Sequence, residues 1–343
     1  MDTTSTFYEA PGPGSGGPAP ARGAGRSLVA DWKALPRDQK ALLGFFIVLY
    51  AGALIGYLGA WAMHKPILRP AGVSLLMLVL SGVVVWHSVV VRGWKQTLIF
   101  LALTMSLSWF FEFIGHNYAW WFGHYKYTNT LRPAIGGVPV IIVITWPLVI
   151  YSAFMLIDWL LDIRGRQPAR SILGKAAWAA LIAASATTLV TAWNVMLDPF
   201  ANSRVWMQAA GVKPWYFYQT GGPFLRELPV MPRGGEFTGK PGIAIGAFVG
   251  WWLVGFFVIF IFCLLFQKPH RVSGSLVNVV PLLVYIFLFA AISISLLMMN
   301  WFFNGMNQVA LIGFFTMMPV ITVSLVKLVK LYTPGWSEMG VEQ

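Results

Sequence analysis

From residue 41 onward the chain is a series of long apolar runs separated by short polar breaks. A helix needs about 20 residues to cross a hydrocarbon core of about 30 Å. Eight runs reach that length, near 41–63, 72–91, 96–118, 138–161, 176–198, 242–266, 275–297 and 309–328. The pattern predicts an all-α fold, a polytopic integral membrane helical bundle of about eight transmembrane helices spanning 41–331. Residues 1–40 are expected to form an N-terminal tail. Its first 30 residues are rich in Gly, Pro, Ala and Ser and bury too little apolar surface to order themselves. Residues 31–40, with Lys33, Arg37 and Lys40, read as a surface helix before the first span, and 332–343 as a C-terminal tail. No apolar h-region follows the N-terminus at the usual distance, so a signal peptide is not expected. Two connections are more than turns. One, at 119–137, starts aromatic and ends in Gly136-Gly137-Val138-Pro139; the other, at 199–241, carries Trp206, Trp215, Tyr216, Phe217 and Tyr218. Both fall on the same, non-cytoplasmic side in this topology, where they can form a lid or mouth; an aromatic belt without chemical duty is the plainer alternative.

Composition sharpens the class. The chain is 57% hydrophobic and 10% charged, with a mean hydropathy of +0.68, which no soluble domain matches. Its net charge of +12 would raise nucleic acid as a partner in a soluble protein. Here the cations follow the membrane topology instead. With the N-terminus inside, inner segments collect 15 Lys and Arg and outer segments nine, five of those in the one long loop. That bias predicts both termini in the cytoplasm, in a multi-pass protein of the cell membrane. Cys263 is the single cysteine and lies in an apolar run, the place of a small core residue. No convincing internal repeat is present, which disfavours an inverted-repeat transporter.

The polar residues inside the apolar runs are the candidates for chemistry. Glu112 interrupts the third run and His116 follows one turn later on the same helix face. A carboxyl in a membrane helix is costly unless it is protonated, paired or turned to a cavity. Glu112 therefore reads as a proton donor with His116 as its partner, or else as an interhelical contact that fixes packing. Asn194 and Asp198 share a face of the fifth run, and Pro199 is expected to end that helix and free carbonyls there. Asp198 then lies at a depth similar to that of Glu112, or is simply an interfacial residue in contact with water. Asp158, followed by Asp162 and Arg164, reads as an end-of-helix acid paired with neighbouring cations. His87 reads as a hydrogen-bonded structural residue, and His124, Tyr125 and Tyr127 as lining for the mouth of a site. The five histidines, His64, His87, His116, His124 and His270, form no HxxxH or HxxHH box, which argues against a membrane di-iron enzyme, and no metal is expected. P-loop, GxSxG and CxxC motifs are absent, and Asn194–Asp198 has no second acidic cluster to make an intramembrane prenyl transferase.

Three blocks in order are more specific. They are Glu112-Phe-Ile-Gly115 with Trp121-Phe-Gly-His-Tyr125-Lys-Tyr127, Gly137-Val-Pro139 and Trp146-Pro147; then Thr191-Ala-Trp193 through Leu197-Asp198-Pro199; then Gly250-Trp251. Together, over about 100–266, they resemble the carotenoid biosynthesis protein family, best known for carotenoid hydratases of the CruF type, including the bisanhydrobacterioruberin hydratases. The chain departs from the family pattern at Asn194, where an Asp is expected, at Gly246, where an Asn is expected, and in the length of the 199–241 loop. The resemblance implies addition of water across a terminal isolated double bond of a linear carotene, with no cofactor. Protonation gives a tertiary carbocation, and water captures it. Such a reaction needs a carboxylic acid that keeps its proton until it donates and aromatic faces that stabilise a cation by roughly 2 kcal/mol or more when desolvated. The candidate catalytic residues are Glu112, His116, Asn194 and Asp198. The candidate substrate-binding residues are Trp109, Trp120, Trp121, His124, Tyr125, Tyr127 and Trp193. The expected partners are a linear carotenoid, membrane lipids and other enzymes of the carotenoid pathway, and no nucleic acid. A non-enzymatic carotenoid- or lipid-binding or transport protein on the same scaffold is the alternative from another class.

Overall fold

A computed structural model of the chain describes residues 27–63, 70–161, 171–203, 211–219, 222, 242–266, 277–300 and 306–332. The expected tail at 1–26, the polar segment with Asp162 and Arg164, much of the 199–241 connection and the last residues lie outside these. The described residues form a helical bundle: α1 (Leu28–Ala34), α2 (Arg37–Ala62), α3 (Pro70–Arg92), α4 (Trp94–Tyr118), α5 (Val140–Leu160), α6 (Ile172–Ala201), α7 (Ile245–Leu265), α8 (Val279–Met299) and α9 (Met306–Tyr332). All but α1 are long and apolar enough to cross a membrane, which makes the protein a multi-pass membrane protein with the eight spans expected. The surface helix expected at 31–40 is two pieces. Leu35 and Pro36 interrupt it, and residues from Arg37 onward already belong to the first span.

The bundle is built around α5. In its apolar window 67% of residues are buried, against 11% in α2, which packs mainly along α8. Every residue from Trp146 to Trp159 is buried, because α5 has α3, α4, α6 and α8 packed around it. The most extensive helix contact is between α6 and α7. Small residues permit it: a Cβ on Gly255 would collide with Thr187, whose Oγ1 donates to the Trp252 carbonyl at 2.8 Å. On the lipid-facing α2, Tyr50 and Tyr57 donate to the carbonyls of Leu283 and Ala291 on α8, satisfying hydroxyls that hydrocarbon cannot.

Two short strand pairs cover the end of the bundle where α4 and α6 finish. β2 (Ala134–Ile135) and β3 (Val138–Pro139) pair antiparallel around Gly136-Gly137. Both glycines have positive φ, 62° and 85°, as a two-residue hairpin turn requires. Gly137 also has no room for a side chain, since a Cβ there would lie 2.5 Å from the His116 ring. β1 (Tyr125–Tyr127) and β4 (Tyr216–Tyr218) form the second pair, which joins the two long connections. Phe122 anchors the first of these between α4 and α7, seated against Gly115 and Gly250.

The opposite end is rich in cations. His87 is the structural residue expected, with Nδ1 bonded to Tyr151 Oη at 2.9 Å and Nε2 to the Val277 carbonyl at 3.0 Å. Asp158 pairs with Arg92 of α3 at 3.9 Å, and the guanidinium lies over Phe154 and Phe262. Tyr332 donates to Asp31 at 2.9 Å, so the end of α9 and the start of the described chain meet on this same face.

Gly250→Leu is expected to destabilise the protein by about 1–3 kcal/mol by driving Phe122 from its seat. Gly82→Ala, where nothing lies within 4 Å of the added carbon, is expected to be neutral. Thermal unfolding in detergent compares the two, and equal melting temperatures would refute the wedge.

Candidate active site

On α4, Thr104, Ser108 and Glu112 recur every four residues and all are buried, so one polar stripe of this apolar helix faces inward. On α6, Asn194 and Asp198 do the same. Glu112 is 3% exposed, Asp198 1% and Asn194 0%. Burying an ion costs several kcal/mol, so each carboxyl needs donors.

The donors come from the strand pair. In Tyr125-Lys126-Tyr127 and Tyr216-Phe217-Tyr218, alternation puts every tyrosine on one face and Lys126 and Phe217 on the other. The register sets Tyr125 opposite Tyr218 and Tyr127 opposite Tyr216. Four phenols thus point at two acids. Tyr125 donates to Glu112 Oε2 in a short bond, and Tyr127 donates to the same oxygen at 2.8 Å. Tyr216 donates to Asp198 Oδ1 in a short bond, and Tyr218 donates to Oδ2 at 3.3 Å. Hydrogen bonds to charged groups contribute roughly 1.5–3 kcal/mol each, enough for two or three to offset much of the desolvation of one carboxylate. Burial, and after it the Glu112 charge, holds the Tyr125 and Tyr127 phenols well above their ordinary range; burial and the Asp198 charge do the same for Tyr216 and Tyr218. The strand pairing brings both pairs of phenols together, so the two acids lie under one lid.

Tryptophans complete the Glu112 side. Trp146 Nε1 donates to Oε1 at 3.3 Å. Its ring stacks on Trp251 at 4.0 Å, and Trp251 meets Trp193 edge-on at 6.0 Å. The Asp198 side is different. The Asn194 amide approaches the carboxyl, yet its Nδ2 and Oδ1 both lack a bond of hydrogen-bonding geometry among the described residues, as does Trp193 Nε1. Buried polar atoms left open in this way are uncommon and call for a reason.

Pro199 does not end α6 as expected. The helix runs two residues further, to Ala201, because its end is held. Asn202 gives both its backbone N–H and its Nδ2 to the Asp198 carbonyl, at 3.0 and 2.8 Å, and Trp215 N–H donates to the Ala201 carbonyl at 3.0 Å. These carbonyls are therefore occupied, and the last bond ties β4 to the helix that carries Asp198.

The other expected site residues serve the lid. His116 Nδ1 accepts from the Tyr127 backbone N–H at 3.3 Å, and the His116 carbonyl accepts from Lys126 at 2.6 Å, so the histidine's bond goes to β1 and not to Glu112. His124 accepts the backbone N–H of Gln219 at 2.7 Å. Trp109 stacks on Phe113 and donates to the Ile135 carbonyl at 3.2 Å, holding the β2–β3 hairpin. Trp120 and Trp121 are exposed, Trp121 with a φ of 67° and its ring edge-on to Phe111. Tyr216, Tyr218, Trp146 and Trp251 were not among the expected site residues. Their signal was present: YKY and YFY are matched alternations, and Trp146 and Trp251 fall in the quoted blocks. What a sequence does not display is the pairing that brings them together.

Fold and site define a polytopic helical membrane protein with two buried acids under a lid of tyrosines. A family model described as "Carotenoid biosynthesis protein" matches residues 72–319. The chain belongs to the carotenoid biosynthesis protein family and has a role in carotenoid biosynthesis. The match takes in the helices from α3 into α9, well beyond the 100–266 of the sequence blocks. Comparisons with curated proteins and with solved structures give no match. The departure at Gly246 has a local reason. A Cβ there would sit 3.1 Å from the Trp121 carbonyl, so glycine lets the 119–124 segment pass over the start of α7.

Raised by burial, the four phenols are expected to stay protonated in the native protein past about pH 10, the ordinary tyrosine value. The double variant Tyr125→Phe/Tyr218→Phe should leave the native phenolate absorbance unchanged to that pH. On unfolding, it should lower the amplitude by two of the chain's 11 tyrosines. A native amplitude that also drops by two would show that these phenols ionise normally.

Proposed function

We propose that the protein is a carotenoid hydratase that adds water to a terminal isolated double bond of a linear carotene. The observation that carries this reading is the pairing of two buried carboxyls with unlike surroundings: tryptophan faces beside Glu112, an open amide beside Asp198. Hydration needs an acid and a base. The acid form of Glu112 gives its proton to the less substituted alkene carbon, leaving a tertiary cation. Trp146, Trp251 and Trp193 lend π-faces to that cation. A water held by Asn194 attacks it, and Asp198 takes the proton the water loses. Two carboxyls divided between acid and base by their environments are a recurrent solution. The polyene reaches the site from the bilayer between helices, in the cell membrane, with lipids and neighbouring enzymes of the pathway as partners. His116 acts through β1, holding Tyr127 on Glu112.

Co-expression in a host that makes a linear carotene tests the reading. The wild type is expected to yield a product heavier by one water. Glu112→Gln and Asp198→Asn are each expected to lower conversion by about 10²- to 10⁴-fold, the usual weight of a general acid or base, with the protein still folded. Pigment bound but unchanged by the wild type would favour a carotenoid-binding protein instead.

Asn194 supplies a separate test. An open buried amide costs roughly 1–3 kcal/mol, so Asn194→Leu is expected to be at least as stable as the wild type while converting at least tenfold less substrate. A variant that loses stability and keeps activity would remove Asn194 from the site.

A further inference from the structure

The proposed hydration leaves the site out of balance. After one turnover Glu112 has lost a proton and Asp198 has gained one. Both are buried, so a proton leaves or reaches either one through the groups packed around it. The groups that face them are Tyr125, Tyr127, Tyr216 and Tyr218. His116 and Lys126 are turned to β1 and the end of α4, and among the described residues no Arg or Lys pairs with either acid.

We propose that the tyrosine face of the β1–β4 pair is the proton-return path from Asp198 to Glu112. This rests on the hydratase reading. Each phenol is both donor and acceptor, so it can take one proton on its oxygen while passing on its own. The Asp198 end of the path is bonded to Tyr216 and Tyr218, and the Glu112 end to Tyr125 and Tyr127. Between the ends, the cross-strand neighbours Tyr125–Tyr218 and Tyr127–Tyr216 have ring centroids 5.9 and 5.6 Å apart, and Tyr125–Tyr216 lies at 5.9 Å. The transfer balances. The Asp198 O–H bond breaks and a Tyr216 or Tyr218 oxygen gains that proton. That phenol's own proton moves to Tyr125 or Tyr127, directly or through one water, and the last phenol's proton forms the new Glu112 O–H bond. No phenolate is left, in keeping with phenols that burial holds in their neutral form. The path also explains why, beside the Trp146 indole, the donors to these carboxyls are hydroxyls. Amide or guanidinium donors would satisfy the same oxygens and could not pass a proton through.

Rapid-quench turnover of the purified full-length protein in lipid nanodiscs, with a linear carotene, tests this. Tyr216→Phe/Tyr218→Phe, which also removes the donors of Asp198, is expected to slow the first turnover less than the later ones, so that about one product per protein still forms ahead of the steady state. Its steady-state rate should then fall at least tenfold, with a larger solvent deuterium effect than the wild type. A burst and a steady state that fall by the same factor, or that both stay unchanged, would overturn the return path. Infrared carboxyl bands give a readout that needs no turnover. Asp198→Asn should shift the Glu112 band when the tyrosines are present, and the shift should vanish in the double Phe background. A Glu112 band that ignores Asp198→Asn with all four tyrosines in place overturns the path as well. A wild type that makes no hydrated product refutes the hydratase reading, and the infrared result still decides whether the acids are coupled through the phenols.

Discussion

Two carboxyls taken out of water at one end of an apolar bundle are the constraint on which the rest of this structure depends. Hydrocarbon offers them nothing, and α4 and α6 cannot satisfy them from their own backbones. Apart from Trp146 of α5, the donors come from outside the helices: two connections, 119–137 and the described part of 199–241, are drawn over the helix ends and paired. A three-residue strand is too short to stand alone. Here each is tied down elsewhere: β1 through His116 and the Phe122 wedge, β4 through Trp215 and the end of α6. The lid thus depends on the acids for its bonding partners, and the acids depend on the lid.

The two ends of the bundle solve the problem of buried charge in opposite ways. Asp158 has a cation, Arg92, whose guanidinium also lies over the Phe154 and Phe262 rings. Glu112 has phenols and an indole, and Asp198 has phenols, all neutral donors. A guanidinium partner would pin a carboxylate in its charged form. Neutral donors leave either protonation state open, the freedom that the proposed loss and regain of a proton needs.

How much of this was legible in the sequence follows from the range of each interaction. Spans are local: length and apolarity give all eight, with the clearest errors at α6, which outruns Pro199, and in the early start of α2. Glu112, Asn194 and Asp198 were equally visible, because a polar residue in an apolar run stands out against its neighbours, and helical spacing assigns its face. The partner of Glu112 was not. His116, one turn away, is the nearest polar group in sequence, but the hydrogen bonds come from Tyr125, Tyr127 and Trp146, 13 to 34 residues on. Trp109, Trp120 and Trp121 stood out by composition alone, and their placement depends on a hairpin and two positive-φ residues, Ala119 and Trp121, that composition does not encode. The tyrosines of β4 were hidden for a further reason. A YxY run in a long connection reads as an interfacial belt until its antiparallel partner is known.

Position 194 shows how closely the chemistry is tied to these neighbours. The family pattern leads one to expect an acid there. In this chain an Asp at 194 would place a third carboxyl one turn from Asp198, wholly buried, where the described residues give the existing Asn side chain no hydrogen bond. The four phenols are already committed to Glu112 and Asp198, so none is free to satisfy it. A third buried acid without a donor would have to stay neutral or repel its neighbours. Asn keeps the shape, supplies a donor and an acceptor on one planar group, and adds no charge. The substitution therefore fits a site with two acids, in which one carboxyl faces tryptophan rings and the other faces an amide; in the proposed hydration, the difference between them sets the direction in which a proton moves.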